Sequence, residues 1–120
     1  MIFCHIVDDY YLQGILASMK QKEWWQTNAP NPLYKYDYIV ALFMHSFSWA
    51  CSIMIAPVIY AITVRSEKYI YAVLAIFIVN VITHMFVDNL KANKKAINLI
   101  TDQWLHLIQI FWTWHLLVWR

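Results

Sequence analysis

His84 and Asp88 stand four residues apart, as do Asp102 and His106, and as do His5 and Asp9. Four-residue spacing puts both members of a pair on one face of a helix, so each pair can direct an imidazole nitrogen and a carboxylate oxygen at one point. That donor set suits a divalent metal, zinc foremost, with iron or manganese as alternatives. Helical bundles build such centres from ligands at i and i+3 or i+4. A metal held there would activate a water and polarise an ester or phosphoester, with Asp9, Asp88 or Asp102 as the catalytic carboxylate. The same residues have two other readings: hydrogen-bonded contacts that hold helices together, and a proton or ion relay. The chain has no G-x-S-x-G, no H-E-x-x-H and no glycine-rich phosphate loop. No serine or cysteine is marked by a motif as a nucleophile.

These pairs stand in an apolar background. The chain has 120 residues, 62% of them hydrophobic and 13% charged, with a single glycine. A soluble domain carries about 25% charged residues, so lipid is the implied solvent. Net charge is +2, and the basic residues sit in short loops rather than along a face, which argues against nucleic acid as a partner. Cys4 and Cys51, each alone in apolar surroundings, read as buried small hydrophobes and not as a disulfide or zinc motif. The first residues lack a basic segment, and His5, Asp8 and Asp9 interrupt any apolar core, so they are not expected to be a cleaved signal.

The elements that must position the pairs follow from the apolar runs. The expectation is an all-α integral membrane bundle of four helices forming one domain over 1–120. Residues 36–63, 69–90 and 97–119 are read as transmembrane spans and residues 1–20 as a polar-striped N-terminal helix. Residues 21–35 read as a loop, because Asn28, Pro30, Asn31 and Pro32 break any helix. Trp24, Trp25, Tyr34 and Tyr36 suit a headgroup belt there, and Trp112, Trp114 and Trp119 a second one at the far end. From Tyr38 to Val64 there is no Lys, Arg, Asp or Glu. Pro57 is expected to kink that span. Arg65, Glu67 and Lys68 make one charged turn, and Lys91, Lys94 and Lys95 another.

Loop charge gives an orientation. Lys20, Lys22, Lys35, Lys91, Lys94 and Lys95 fall on one side, against Arg65, Lys68 and Arg120 on the other, which places the first set in the cytoplasm and both termini outside. Counting 1.5 Å per residue from the cytoplasmic ends puts His84 roughly 10 Å deep, His106 roughly 12 Å, His45 roughly 13 Å and Asp9 roughly 16 Å. The candidate ligands His5, Asp9, His45, His84, Asp88 and His106 therefore fall in one layer of the cytoplasmic half. With Asp102 they exceed one tetrahedral zinc. They suit two metals, or one metal whose histidines are oriented by outer carboxylates. Gln13, Lys91 and Gln103 share faces with these residues. Gln13 is placed to orient a carboxylate or a substrate, and Lys91 to snorkel to the interface or hold an anionic headgroup. Asp8, turned about 100° from Asp9, is grouped with Asp37, Glu67 and His115 as surface or interfacial.

In these motifs the chain resembles a family of small bacterial and phage membrane proteins catalogued as domain of unknown function 3307. Its H-x-x-x-D-[FY]-x-x-Q pattern is matched by His5, Asp9, Tyr10 and Gln13, and its histidine in the next apolar helix by His45. Its H-x-x-x-D-x-x-K is matched by His84, Asp88 and Lys91, and its D-Q-x-x-H by Asp102, Gln103 and His106. Asp8 departs from the pattern, which has a small residue there. The resemblance implies a multi-pass protein of the bacterial inner membrane, with the outward termini in the periplasm and an origin in a phage or prophage. It supplies no activity. A loosely similar group labelled metal-dependent hydrolases is an analogy for hydrolysis of a lipid-linked or membrane-accessible ester. The alternative from the same resemblance is a non-enzymatic phage protein that acts on a host membrane partner, with the polar cluster purely structural.

Overall fold

The computed structural model describes residues 1–64 and 67–118, which are almost entirely helical and contain no strand. The two longest elements are α4 (Asp37–Val64) and α5 (Glu67–Ala92); the preceding helices are α1 (Ile2–Val7), α2 (Leu16–Met19) and α3 (Lys22–Asn28), and α6 (Leu99–Leu117) follows. Neither long helix contains glycine, and α4 continues through a buried Pro57. With 28 and 26 residues, α4 and α5 extend for about 42 and 39 Å, more than the ~30 Å of a hydrocarbon core. Both are long and apolar enough to cross a membrane. Only 33% and 28% of their apolar stretches are buried, which is the reverse of a core helix in a water-soluble domain.

The third expected span behaves differently. Asn98 caps α6, its side chain accepting a hydrogen bond from Thr101 N at 2.9 Å. The helix has 19 residues and carries Asp102, Gln103, His106, Gln109 and His115. Among the described residues, only the other two helices meet the length and apolarity of a span. Arg65, expected in the turn before α5, Trp119, expected at the far end of the span over 97–119, and Arg120 lie outside the described residues.

The N-terminal segment is not the continuous helix expected over 1–20. After α1 the backbone widens into a π-helical turn, Asp8–Leu12, closed by Gln13 N to Asp8 O at 3.1 Å. Gly14 follows at φ +48°, a left-handed conformation that glycine alone adopts cheaply, and α2 begins beyond it. The wider turn changes which side chains face inward. Asp8, expected at the surface, is fully buried together with Asp9. The expected loop over 21–35 is also corrected. It holds α3 and a 3-10 turn at Pro32–Tyr34, capped by Asn31. The breakers do stop α3 at Asn28, but nothing in Lys22–Asn28 prevents a helix. Asn93, just past α5, straps this segment down: its side chain accepts from Lys22 N at 2.7 Å and donates to Lys20 O at 3.0 Å.

α5 packs against both α4 and α6, while the N-terminal elements lie on α4. Trp49, Ala50, Ile53, Met54, Val73, Val81 and Ile110 form an apolar core. Phe3, Tyr11, Ile62 and Ile100 are exposed, while His5, His45, His84, His106, Asp8 and Asp102 are buried. An apolar outside and an ionisable inside is the polarity that a bilayer selects. The cysteines fit the same surface and correct the expectation of burial: Cys51 is exposed on the outer face of α4 and Cys4 half-buried. His115 is exposed and stacks beside Phe111, as its position half a turn from His106 requires.

Candidate functional site

The polar layer sits at one end of the bundle. The π-helical turn supplies Asp8 and Asp9, the first third of α4 supplies His45, the last turns of α5 supply His84 and Asp88, and the first turns of α6 supply Asp102 and His106. All are buried. The Nε2 atoms of His45 and His84 are 3.1 Å apart. His45 Nε2 lies 3.3 Å from Asp9 Oδ1 and 3.2 Å from Asp88 Oδ2. His106 Nε2 lies 3.4 Å from Asp88 Oδ1 and 3.4 Å from Asp102 Oδ1. Two donor triads result, Asp9–His45–His84 and His84–Asp88–His106, each with its donor atoms within 4.8 Å of one another and each able to hold a metal ion. Ligands at zinc distances sit about 3.3 Å apart across a tetrahedral angle; the His45 and His106 contacts have that spacing, while His84 Nε2 lies 3.9 Å from both Asp9 Oδ1 and Asp88 Oδ1.

An outer shell fixes these groups, and its orientations can be deduced. An indole N–H only donates. Trp49 Nε1 donates to His5 Nδ1 at 2.7 Å, so that nitrogen is an acceptor and the proton sits on Nε2. His5 Nε2 then donates to Gln103 Oε1 at 3.2 Å. Gln103 Nε2 must in turn face acceptors, and it donates to Asp9 Oδ2 at 3.3 Å and Asp102 Oδ2 at 3.2 Å. Both ring nitrogens of His5 are thereby engaged, so His5 stands outside the two triads as an orienting group. Trp49 also stacks on His84, ring centroids 4.1 Å apart.

The lysines complete the shell. Lys20 Nζ donates to Asp88 Oδ2 at 2.6 Å and to Gln13 Oε1 at 3.2 Å, and Gln13 Nε2 reaches back to Asp9 O. Lys91, expected to snorkel or bind a headgroup, holds Asp102 Oδ2 at 2.6 Å. Asp8 Oδ1 accepts from Ser48 at 2.6 Å and Ser52 at 3.2 Å, and its Oδ2 faces His45 Nδ1 at 4.0 Å. Sequence reasoning missed Trp49, Asp8, Lys20, Ser48 and Ser52. His45/Trp49 and Ser48/Ser52 do carry a signal, each pair being four apart on α4; Lys20 carries none.

The balance of charge is incomplete. Asp8, Asp9, Asp88 and Asp102 are buried, and among the described residues only Lys20 and Lys91 pair with them as cations. With neutral imidazoles an excess of two negative charges remains, which a divalent cation would offset and which protonation of two imidazoles, such as His45 and His106 beside the carboxylates, would offset equally. Several buried atoms here also have no hydrogen-bond partner: Asp8 Oδ2, Asp9 Oδ1, Asp102 Oδ1, Nδ1 of His45, His84 and His106, and His106 Nε2.

The chain thus has a buried His/Asp cluster able to hold a metal ion, between helices of which two can cross a membrane. It matches no family model, no curated protein and no solved structure.

Proposed function

We propose that the chain is a multi-pass membrane protein whose polar layer binds a divalent metal, zinc foremost, and hydrolyses a lipid-linked or other membrane-accessible ester or phosphoester. The observation that carries this reading is the division of labour within the carboxylates. The outer oxygens of Asp9 and Asp102 are tied to Gln103 and Lys91, while their Oδ1 atoms face the imidazoles of His45 and His106 at 3.3 and 3.4 Å without a well-aligned hydrogen bond. Interhelical glue would leave such buried atoms paired; a metal centre leaves Asp9 Oδ1 free for the ion and Asp102 Oδ1 free to act as the base.

His45, His84 and His106, with Asp9 and Asp88, are the ligands in this reading. A bound divalent ion lowers the pKa of its water and polarises the scissile group. Asp102 lies outside both triads, with Oδ1 unpartnered, and serves as the base. Gln103 and Lys91 fix its orientation. His5, Trp49, Gln13 and Asp8 hold the ligands in place. The motif resemblance and loop charges favour a bacterial inner membrane, with the metal layer in its cytoplasmic half.

Metal analysis of protein purified without chelator tests the reading. Stoichiometric zinc, iron or manganese is expected, and its absence removes the metal. Hydrolysis is tested on a panel of fluorogenic lipid esters and phosphoesters, where Asp102→Asn is expected to lower the rate about 10²- to 10⁴-fold, the usual worth of a general base. A panel with no turnover by metal-loaded protein removes the enzyme and leaves the metal.

The Trp49–His5–Gln103 relay makes a separate prediction. Trp49→Phe keeps a ring over His84, deletes the N–H to His5 and leaves a small void at a fully buried position. Metal affinity is expected to fall about 10- to 100-fold, as for other lost outer-shell partners. Competition against a chelator of known affinity measures it, and an affinity equal to wild type would remove the relay from the site.

A further inference from the structure

Beside the metal layer is a cavity that the hydrolytic chemistry does not use. α3, the Pro32–Tyr34 turn and the start of α4 enclose about 580 Å³ lined by Lys22, Lys35, Trp25, Tyr34 and Tyr38 among others, with no acidic residue. Lys22 Nζ lies 4.8 Å from the centre of the Tyr38 ring, and Trp25 stacks on Tyr34. The indole of Trp25 is anchored by its bond to Met19 O at 2.6 Å. Lys20, Lys91 and Lys95 each hold a carboxylate at 2.6 Å. Lys22 and Lys35 have no carboxylate partner among the described residues.

Tyr38 belongs to a second cavity as well. This one, about 320 Å³, lies in the groove between α4 and α5 and is lined by Leu42, Ile82, Met85 and Phe86. A cationic, aromatic pocket and an apolar groove along the two helices able to cross a membrane thus share Tyr38 in their linings. A ligand that fills both has an anionic head and a hydrocarbon tail.

We infer that this composite cavity binds an anionic phospholipid, its phosphate between Lys22 and Lys35 and one acyl chain in the α4–α5 groove. Two ammonium groups and tyrosine hydroxyls supply donors to phosphate oxygens. Aromatic residues at headgroup depth bracket the head. A choline head is disfavoured: aromatic rings attract it, but the lysines repel its cation and there is no acidic residue to offset them. The proposal rests on the reading that α4 and α5 lie in a bilayer, and it needs no metal. It does place a lipid head near the polar layer. Tyr38 and His45 are about 10 Å apart along α4, and Asn93 ties the Lys20–Lys22 segment to α5 beside Asp88.

Native mass spectrometry of the full chain, released from bilayer discs of equal phosphatidylglycerol and phosphatidylcholine, tests it. Wild type is expected to retain phosphatidylglycerol preferentially. Lys22→Gln with Lys35→Gln is expected to lower that preference about twentyfold, from roughly fivefold per lysine near a charged lipid surface. Ile82→Trp, at an exposed position, is expected to fill the groove and lower retention of both lipids. Equal retention of the two lipids by wild type, or an unchanged preference in the double variant, overturns the site. Displacement of the lipid by excess inorganic phosphate would make it a phosphate site and overturn the lipid. Metal content, measured on the same samples, is expected to match wild type in both variants. A metal-free wild type that still prefers phosphatidylglycerol would count against the metal reading alone, and a chain recovered without lipid in the soluble fraction would overturn the bilayer.

Discussion

His84→Ala is expected to strip the centre of metal, from about one ion per chain to below about a tenth. His84 is the one residue common to both donor triads. Its loss breaks both triads, leaving Asp9, His45, Asp88 and His106 linked through the 3.2 Å contact of His45 with Asp88 but without the donor the triads share. Alanine also removes the ring stacked on Trp49 and 4.2 Å from the His106 ring, so a fall in metal would be ambiguous with collapse of the layer. His84→Phe resolves this. It keeps an aromatic ring on Trp49 and removes only the nitrogen donors, and it is expected to lose metal as completely. Asp102→Asn is the contrasting control, because Asp102 belongs to neither triad. It is expected to keep the ion at reduced affinity while losing hydrolysis. Metal retained at wild-type level in both His84 variants would place the ion elsewhere.

The contrast follows from how the layer is built. Four groups of the layer have an outer neighbour that leaves them little freedom: Lys20 for Asp88, Gln103 for Asp9, Lys91 for Asp102, Trp49 for the His84 ring, whereas Nδ1 of His45 and of His106 has no hydrogen-bond partner. Orientation is therefore imposed from outside the site, across helix boundaries. Such a shell makes the geometry independent of the ion, and it also keeps four carboxylates close together. A cation bound there would lower the cost of that arrangement and so add to the stability of the fold.

How much of this was legible in the sequence depended on where each contact comes from. His84/Asp88 and Asp102/His106 are local pairs. Helical periodicity alone puts each on one face, and the short turn between them puts both near one end of the bundle. His45 was legible by depth, since distance along a straight helix is a simple rise per residue. The inward turn of Asp8 was not, because it needs a π-helical turn that an ideal 3.6-residue helix does not contain. Trp49 in an apolar helix reads as packing; only the histidine from α1 makes its N–H informative. α3 was hidden by the breakers that end it. Lys20 contacts a residue 68 positions away, and no local pattern marks such a partner, so its basic side chain read only as a sign of membrane topology.

That unmarked lysine carries the second large effect. Lys20→Met is expected to destabilise the metal-free protein by about 3–5 kcal/mol, the usual result of leaving one member of a buried ion pair alone. The Lys20 and Asp88 side chains are 11% and 2% exposed and lie 2.6 Å apart, so solvent has little room to compensate Asp88. With the metal bound, the ion takes over part of that compensation, and the loss is expected to shrink. The size of the loss therefore depends on the ion, which a packing defect would not produce. The pair Lys20→Met/Asp88→Leu removes both charges and is expected to recover the stability of the metal-free protein, because an apolar replacement of a buried ion pair is often neutral. It should not recover metal binding, because Asp88 is a ligand. Thermal unfolding in detergent, with and without added zinc, reads all four states. If Lys20→Met is equally unstable with and without metal, Lys20 is a packing residue and the charge account of the layer fails.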